Sequence, residues 1–302
     1  MKIVLFGSKG QLGTELNTQL TKLYEIQAYS RDEVDISNAS SVAHLLLTIQ
    51  PNIVINAAAY TNVEQSEQET SSAVKINTDA VCQLANLCKQ IDALLIHYST
   101  DYVFDGKKSS DYLETDQPNP INVYGFSKLG GEKAIQTSGC RHIIFRTSWV
   151  IGQQGKNFVK TILNLAQQKK ALTVINDQLG APTSVKLISK VTTEAINSLR
   201  HNTPWENGIY HLSSKGSTNW HKMAVTLIIH ALKTSDLKFK TTIKSIKAIN
   251  SAEYPSKVKR PLNSRLNTNK LQGKLPFELP DWRDDFILII NHILEEKTYN
   301  DT

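Results

Sequence analysis

Five short runs of strand character, each separated from the next by a stretch with helical spacing, fill the first 150 residues. This alternation constrains the fold more than any other feature of the chain. The runs are "KIVLF" (2–6), "EIQAYS" (25–30), "NIVINAAAY" (52–60), "ALLIHYS" (93–99) and "HIIFRTSWV" (142–150). Between them, Leu12, Leu16, Leu20 and Leu23 recur at helical intervals, and "SSVAHLLLTIQ", "SSAVKINTDAVCQLANLCKQ" and the segment from Asn122 to about Gln136 continue the pattern. Uninterrupted apolar strands are those buried on both faces, so the order strand–helix–strand predicts an α/β protein built on a doubly wound parallel sheet of Rossmann type.

Beyond Trp149 the rhythm loosens. A helix is expected over about 157–169, a strand at "LTVIND", a helix over about 185–199 and a strand at "GIYHL". "NWHKMAVTLIIHAL" and "DWRDDFILIINHILEE" follow as helices, separated by Pro- and Lys-rich loops. The expected division is a dinucleotide-binding domain over 1–150 and a smaller α/β, mainly substrate-binding region over 151–302, with segments near 185–212 returning to the first sheet.

"LFGSKGQLG" follows the first strand at once and carries Gly7, Gly10 and Gly13 at three-residue spacing. Glycines there allow a tight turn and let the backbone approach a pyrophosphate, which rests on the N-terminus of the helix that Gln11 and Leu12 open. The end of the second strand reads the ribose of the cofactor. An acidic residue suits a 2′-hydroxyl and a basic one a 2′-phosphate. Ser30 and Arg31 occupy that place and point to NADPH, while Asp32 and Glu33 come next, so a shift of one residue points to NADH instead. Asp35 and Ile36 would flank the adenine. Ala58, Ala59, Tyr60 and Thr61 end the third strand, where small side chains let a cofactor lie across the sheet edge.

The fourth strand turns polar at Ser99, Thr100 and Asp101, at the carboxyl end where open parallel sheets bind ligands. Tyr124 and Lys128 lie one helical turn apart some twenty residues on. An ammonium at that spacing favours the phenolate and is expected to lower a tyrosine pKa from about 10, which suits proton transfer to a ketone being reduced by nicotinamide. Thr100 would donate a second hydrogen bond to the carbonyl oxygen. The plainer alternative is a surface helix with Lys128 in water and Tyr124 half-buried.

The series "GxxGQLG", "NAAAYT", "STDYVF", "NVYGFSKLGGE", "FRTSWV", "NDQLGAPT" and "RPLNSRL", spread from Met1 to Leu266, resembles the dTDP-4-dehydrorhamnose reductases of the extended short-chain dehydrogenase/reductase superfamily. The resemblance implies Tyr124 as proton donor, Lys128 as its tuner and ribose ligand, and Thr100 as the orienting hydroxyl. It implies Asp101 and Trp149 at the deoxysugar, and Gln178, Arg260 and the "NSR" of 263–265 near the nucleotide. Arg146 is read as a paired structural arginine. Some relatives look like dimers bridged by a divalent ion such as Mg2+ through glutamates; here Glu15 stands at one such position and Lys186 at the other, and no metal ligand is assigned. A monomer or a homodimer is expected.

Rival functions separate on single residues. A 4,6-dehydratase would need a second carboxylate after Asp101, and Tyr102 stands there. A 4-epimerase would retain its cofactor tightly. A non-catalytic regulatory subunit that binds NADP, as in a methionine adenosyltransferase relative, would not need Thr100, Tyr124 and Lys128 together. Charge settles less. The net +6 is concentrated between Lys233 and Arg260, but no binding motif or aromatic interleaving accompanies it, so a nucleic-acid partner is not expected. No run approaches the ~20 apolar residues of a membrane span, and Cys82, Cys88 and Cys140 lack metal spacing. A cytoplasmic enzyme acting on a nucleotide sugar is the resulting expectation.

Overall fold

The computed structural model describes residues 1–201 and 203–300, so residues 202, 301 and 302 of the expected C-terminal region lie outside the described residues. Six parallel strands form the central sheet: β1 (Lys2–Phe6), β2 (Glu25–Tyr29), β3 (Ile53–Asn56), β4 (Leu94–Thr100), β5 (His142–Thr147) and β6 (Gly208–Leu212). They lie in the order β6-β5-β4-β3-β1-β2. The chain runs outward from β1 to β2, then returns past β1 to β3 and continues the other way. The crevice between the carboxyl ends of β1 and β3 is therefore the topological switch point.

Strand alternation explains why the runs are apolar throughout. Ile3, Leu5, Ile53, Ile55 and Ile96 face one layer, where they meet Leu16 and Leu20 of α1 (Gln11–Leu20) and Leu187, Ile188 and Val191 of a later helix, Val185–Arg200. Val4, Phe6, Val54 and Leu95 face the other, against Val42 and Leu46 of α2 (Ala39–Ile49) and Val81 and Leu84 of α3 (Ala80–Gln90). A strand with both faces covered has no polar face to show.

Two expected elements differ in detail. The helix read over 71–90 is a short α-helix, Thr70–Val74, a π-helical turn, Lys75–Asp79, and then α3. The wide turn brings its backbone against α4 (Val123–Ser138), the helix of Tyr124 and Lys128. Close approach needs Gly131, where a Cβ would stand 2.3 Å from the Asn77 carbonyl oxygen. Because the obstruction is backbone, Gly131→Ala is expected to destabilise the protein by about 1–3 kcal/mol, read as a lower urea midpoint. The strand read to Val150 stops at Thr147, because Trp149 takes a left-handed backbone, φ +46°. Val150–Ile151 then pairs with Thr183–Ser184 away from the main sheet.

The remaining chain has a core of its own. Val159, Ile162 and Leu163 of α5 (Phe158–Gln168), then Leu172, Val174, Met223, Leu227, Phe286 and Ile290 pack together. The Lys-rich stretch read as loop contains a strand, Ile246–Ile249, parallel to Leu172–Ile175. Lys247 points to solvent and interrupted the apolar pattern. Helix α6 (Val185–Arg200) and β6 belong to the first core and sheet. Among the described residues, no helix is long and apolar enough to cross a membrane.

Candidate active site

A cleft of about 680 Å³ opens at the switch point and runs from the glycine turn to the end of β4. At the turn, Gly7 has φ +83°, and a Cβ there would stand 2.6 Å from the Ala58 nitrogen. Gly13 packs the helix onto the turn, with room for no Cβ beside the Gly7 carbonyl. No side chain caps α1 at Gly10, so its first backbone N–H groups face the cleft with the positive end of the helix dipole. That arrangement fits a dinucleotide pyrophosphate. Gly7, Gly10, Gln11 and Leu12 line this end, Ala58, Ala59 and Thr61 form the wall over β3, and Arg31, Asp35 and Ile36 close the far side. Gln11 also accepts a hydrogen bond from the Gly152 nitrogen at 3.0 Å, tying the turn to the loop that carries Lys156.

Gly13, Ser30 and Tyr60 do not line the cleft. Ser30 is buried, and both its nitrogen and its hydroxyl donate to Glu33 Oε2 at 2.7 Å. The Tyr60 phenol donates to Glu69. Those bonds bear on the cofactor. Glu33, bonded to Ser30, and Asp32, paired with Lys9 at 3.0 Å, do not line the cleft. Arg31 and Lys9 both line the cleft, Arg31 beside Asp35 at 3.3 Å. Lys9, which sits between two of the glycines, is a cleft residue beyond those expected from the motif.

The reactive end is built on α4 and β4. Asn122 caps α4, its Oδ1 accepting from the Gly125 nitrogen at 2.8 Å. The surface-helix alternative fails, since Lys128 is 2% exposed. Its Nζ donates to the Tyr98 carbonyl at 2.6 Å and lies 3.3 Å from His97 Nε2. Burial brings Lys128 down to about 8, against the opposing charge of Glu132. The expected lowering of the tyrosine is not found. Burial pushes Tyr124 up to about 12; the Thr100 hydroxyl opposes this, and the Asp101 carboxylate adds to it. The lysine reaches inward to a strand carbonyl, and burial dominates at the phenol. A phenol in that state carries its proton at neutral pH, as an acid must.

Thr100 donates to Asp101 Oδ1 at 3.1 Å and accepts from the Tyr102 nitrogen at 3.2 Å. Asp101 is buried, its carboxyl pushed up to about 6 by that burial against the nearby Ser264 and Thr100 hydroxyls, and its Oδ2 has no partner within hydrogen-bond geometry. Trp149 stacks on Trp220 with centroids 3.9 Å apart and planes at 22°. Both rings line the cleft. Gln178 lies behind them, accepting from Trp220 Nε1 at 3.0 Å. Arg260 also stands outside the lining; it binds Glu64 and Ser256, each at 3.1 Å. Within the "NSR" segment, Asn263 donates to the Lys108 and Ser110 carbonyls. Arg146 is paired, as a fork onto Glu132 at 2.9 and 2.6 Å. Trp220, Lys156 and the His97–Asn56 pair were not legible beforehand, since no local spacing links them to the cleft.

Glu15, Lys186 and His292 share a separate hollow with Asp285. Lys186 Nζ lies 2.5 Å from His292 Nε2, and the Asp285 carboxylate is occupied by Ser184 and Ser214. An ammonium in the hollow, with one carboxylate already bonded, does not fit a divalent cation. Among the described residues, no group of three His, Cys, Asp or Glu side chains is placed to hold a metal.

Comparison with known proteins shows a family. The model of the RmlD substrate binding domain family matches residues 1–295. The dTDP-4-dehydrorhamnose reductase of Escherichia coli (strain K12) is 41% identical over 97% of this chain and 98% of its own. That of Burkholderia thailandensis is 38% identical over 98% of this chain and 100% of its own. The crystal structure of dTDP-4-dehydrorhamnose reductase from Bacillus anthracis str. Ames in complex with NADP superposes with a TM-score of 0.85 and 31% identity, covering 100% of this chain and 99% of that one.

Proposed function

The chain belongs to the dTDP-4-dehydrorhamnose reductase family, and on that premise we propose that it reduces the C4 ketone of dTDP-4-dehydro-β-L-rhamnose to give dTDP-β-L-rhamnose, a precursor of cell-surface polysaccharide. Bound NADPH supplies the hydride. The uncapped α1 and its glycine turn hold the pyrophosphate, and Arg31 with Lys9 receives the 2′-phosphate. Residues 1–150 carry the cofactor, and 151–302 chiefly the sugar nucleotide, with Gln178 and Arg260 supporting the nucleotide end from outside the cleft. We take the enzyme to be cytoplasmic and a monomer or a homodimer that needs no metal.

Tyr124 gives its proton to the oxygen at C4 as negative charge develops there. Thr100 turns to the same oxygen the one proton that it gives to Asp101 in the free protein. Asp101 Oδ2, a buried oxygen without a partner, accepts from a sugar hydroxyl. The Trp149–Trp220 stack offers an apolar plate to the 6-deoxy face. The observation that carries the reading is the single cleft that joins a helix N-terminus with no side-chain cap to a protonated, half-buried tyrosine.

The test is NADPH oxidation by the purified protein with the 4-keto sugar, supplied by a 3,5-epimerase acting on dTDP-4-dehydro-6-deoxyhexose. Turnover supports the reduction; cofactor binding without turnover in that assay overturns it in favour of a non-catalytic NADP-binding role. In the same assay, Arg31→Asp is expected to raise KM for NADPH on the order of tenfold, about 1.4 kcal/mol of lost charge-assisted binding. Its KM for NADH should change much less.

A further inference from the structure

Among the described residues, seven buried side chains carry a polar atom with no partner within hydrogen-bond geometry. Two of the seven, Asp101 and Thr147, line the cleft, and the reaction above uses only Asp101. Thr147 is 6% exposed and stands at the carboxyl end of β5, in register with Thr100 on β4. A hydroxyl buried without a partner costs stability, so in a binding cleft it marks a place that a ligand completes.

The surroundings of Thr147 say what chemistry it meets. Alternation along β5 sends Arg146 toward Glu132 of α4 and puts Phe145 and Thr147 on the opposite face. On that side Leu12, near the start of α1, and Val150 pack against the first core and line the same cleft. The seat is therefore apolar with one hydroxyl, and it fits a flat ring that carries a single polar substituent. Thr100, Asp101 and Tyr124, which suit a sugar with several hydroxyls, belong to β4, the turn after it and α4. The cofactor brings a ring of the required kind. From a pyrophosphate at α1 the dinucleotide crosses β3 and β4, and β5 is the next strand, about 4.8 Å farther on.

We propose that Thr147 binds the nicotinamide carboxamide, with Leu12 and Val150 against the ring, and so fixes which face of the nicotinamide meets the C4 ketone. The hydroxyl can donate to the carboxamide oxygen or accept from its nitrogen. The carboxamide lies to one side of the ring, so anchoring it stops the ring from rotating about its glycosidic bond. One face is then held toward the sugar, and hydride leaves from that face alone.

The proposal rests on the reading of the cleft as a nicotinamide site, and binding to the free protein tests it without turnover. Thr147→Val keeps the shape of the side chain and removes the hydroxyl. It is expected to weaken NADPH binding about fivefold to tenfold, the loss of one hydrogen bond. Binding of 2′-phospho-ADP-ribose, which lacks the nicotinamide, and of dTDP-β-L-rhamnose should stay at the wild-type level. Thr147→Ser keeps the hydroxyl and should bind NADPH as the wild type does. The urea midpoint of free Thr147→Val should hold or rise, because valine removes a buried hydroxyl that had no partner. Calorimetric titration gives the three affinities. A lowered midpoint, equal losses for NADPH and the nicotinamide-free probe, a loss for the sugar nucleotide in place of NADPH, or no loss at all overturns the proposal. Should the wild type bind NADPH without turnover, the reduction falls, while the ratio of the two cofactor-probe affinities still decides the role of Thr147.

Discussion

Tyr124→Phe is expected to lower kcat by roughly 10²- to 10⁴-fold, the range associated with a positioned general acid, while NADPH binding is retained. The substitution is clean because the ring has a packing role of its own. It meets Tyr102 edge-on, with centroids 5.6 Å apart and planes at 77°, and phenylalanine keeps that contact. What is lost is the one proton that burial keeps on the phenol up to a pH of about 12. Thr100 would still point a hydroxyl at the developing alkoxide, so the remaining activity measures polarisation without proton delivery. Initial rates of NADPH oxidation, with cofactor binding followed by fluorescence, check this. A variant that turns over at the wild-type rate would mean that another group or a water supplies the proton.

How far this site was legible depends on how local each signal is. Gly7, Gly10 and Gly13 announced the phosphate end because the turn needs all three within one short segment. The pair Tyr124–Lys128 was legible for the same reason, being one helical turn apart. The direction in which Lys128 points was not, because it is decided by the Tyr98 carbonyl and His97 on β4, thirty residues earlier in the chain. Trp149 was read as a plate for the sugar, but its stacking partner Trp220 comes from a helix in the second core. Gln178 and Arg260 were read as nucleotide neighbours, yet their side chains bond to Trp220, Glu64 and Ser256. In the fold, β1, β3 and β4 declared themselves by burying both faces. Ile246–Ile249, with Lys247 and Ala248 exposed, carries no such pattern.

Replacing Glu132 by alanine is expected to destabilise the protein by about 3–5 kcal/mol, the usual consequence of removing one partner from a buried ion pair. Glu132 and Arg146 are 1% and 2% exposed. The carboxylate takes both ends of the guanidinium fork and also the Ser99 hydroxyl, so it joins α4 to β5 and β4 at once. With it gone, Arg146 would remain charged beside the Phe104 ring, 5.0 Å from its centroid, with no other ion-pair partner among the described residues. The stability lost is therefore mostly the desolvation of a stranded cation rather than the attraction of the pair. That distinction is testable, because replacing both partners by apolar residues of similar size, Glu132→Leu with Arg146→Met, should recover most of the loss. Urea unfolding of the single and double variants makes the comparison. Activity should separate from stability in the double variant, since Ser99 would lose its acceptor beside Thr100 and Lys128 would lose the nearest anion that favours its charge. A single-variant loss under about 1 kcal/mol, as for a pair in water, would mean that solvent reaches Arg146 once Glu132 is gone.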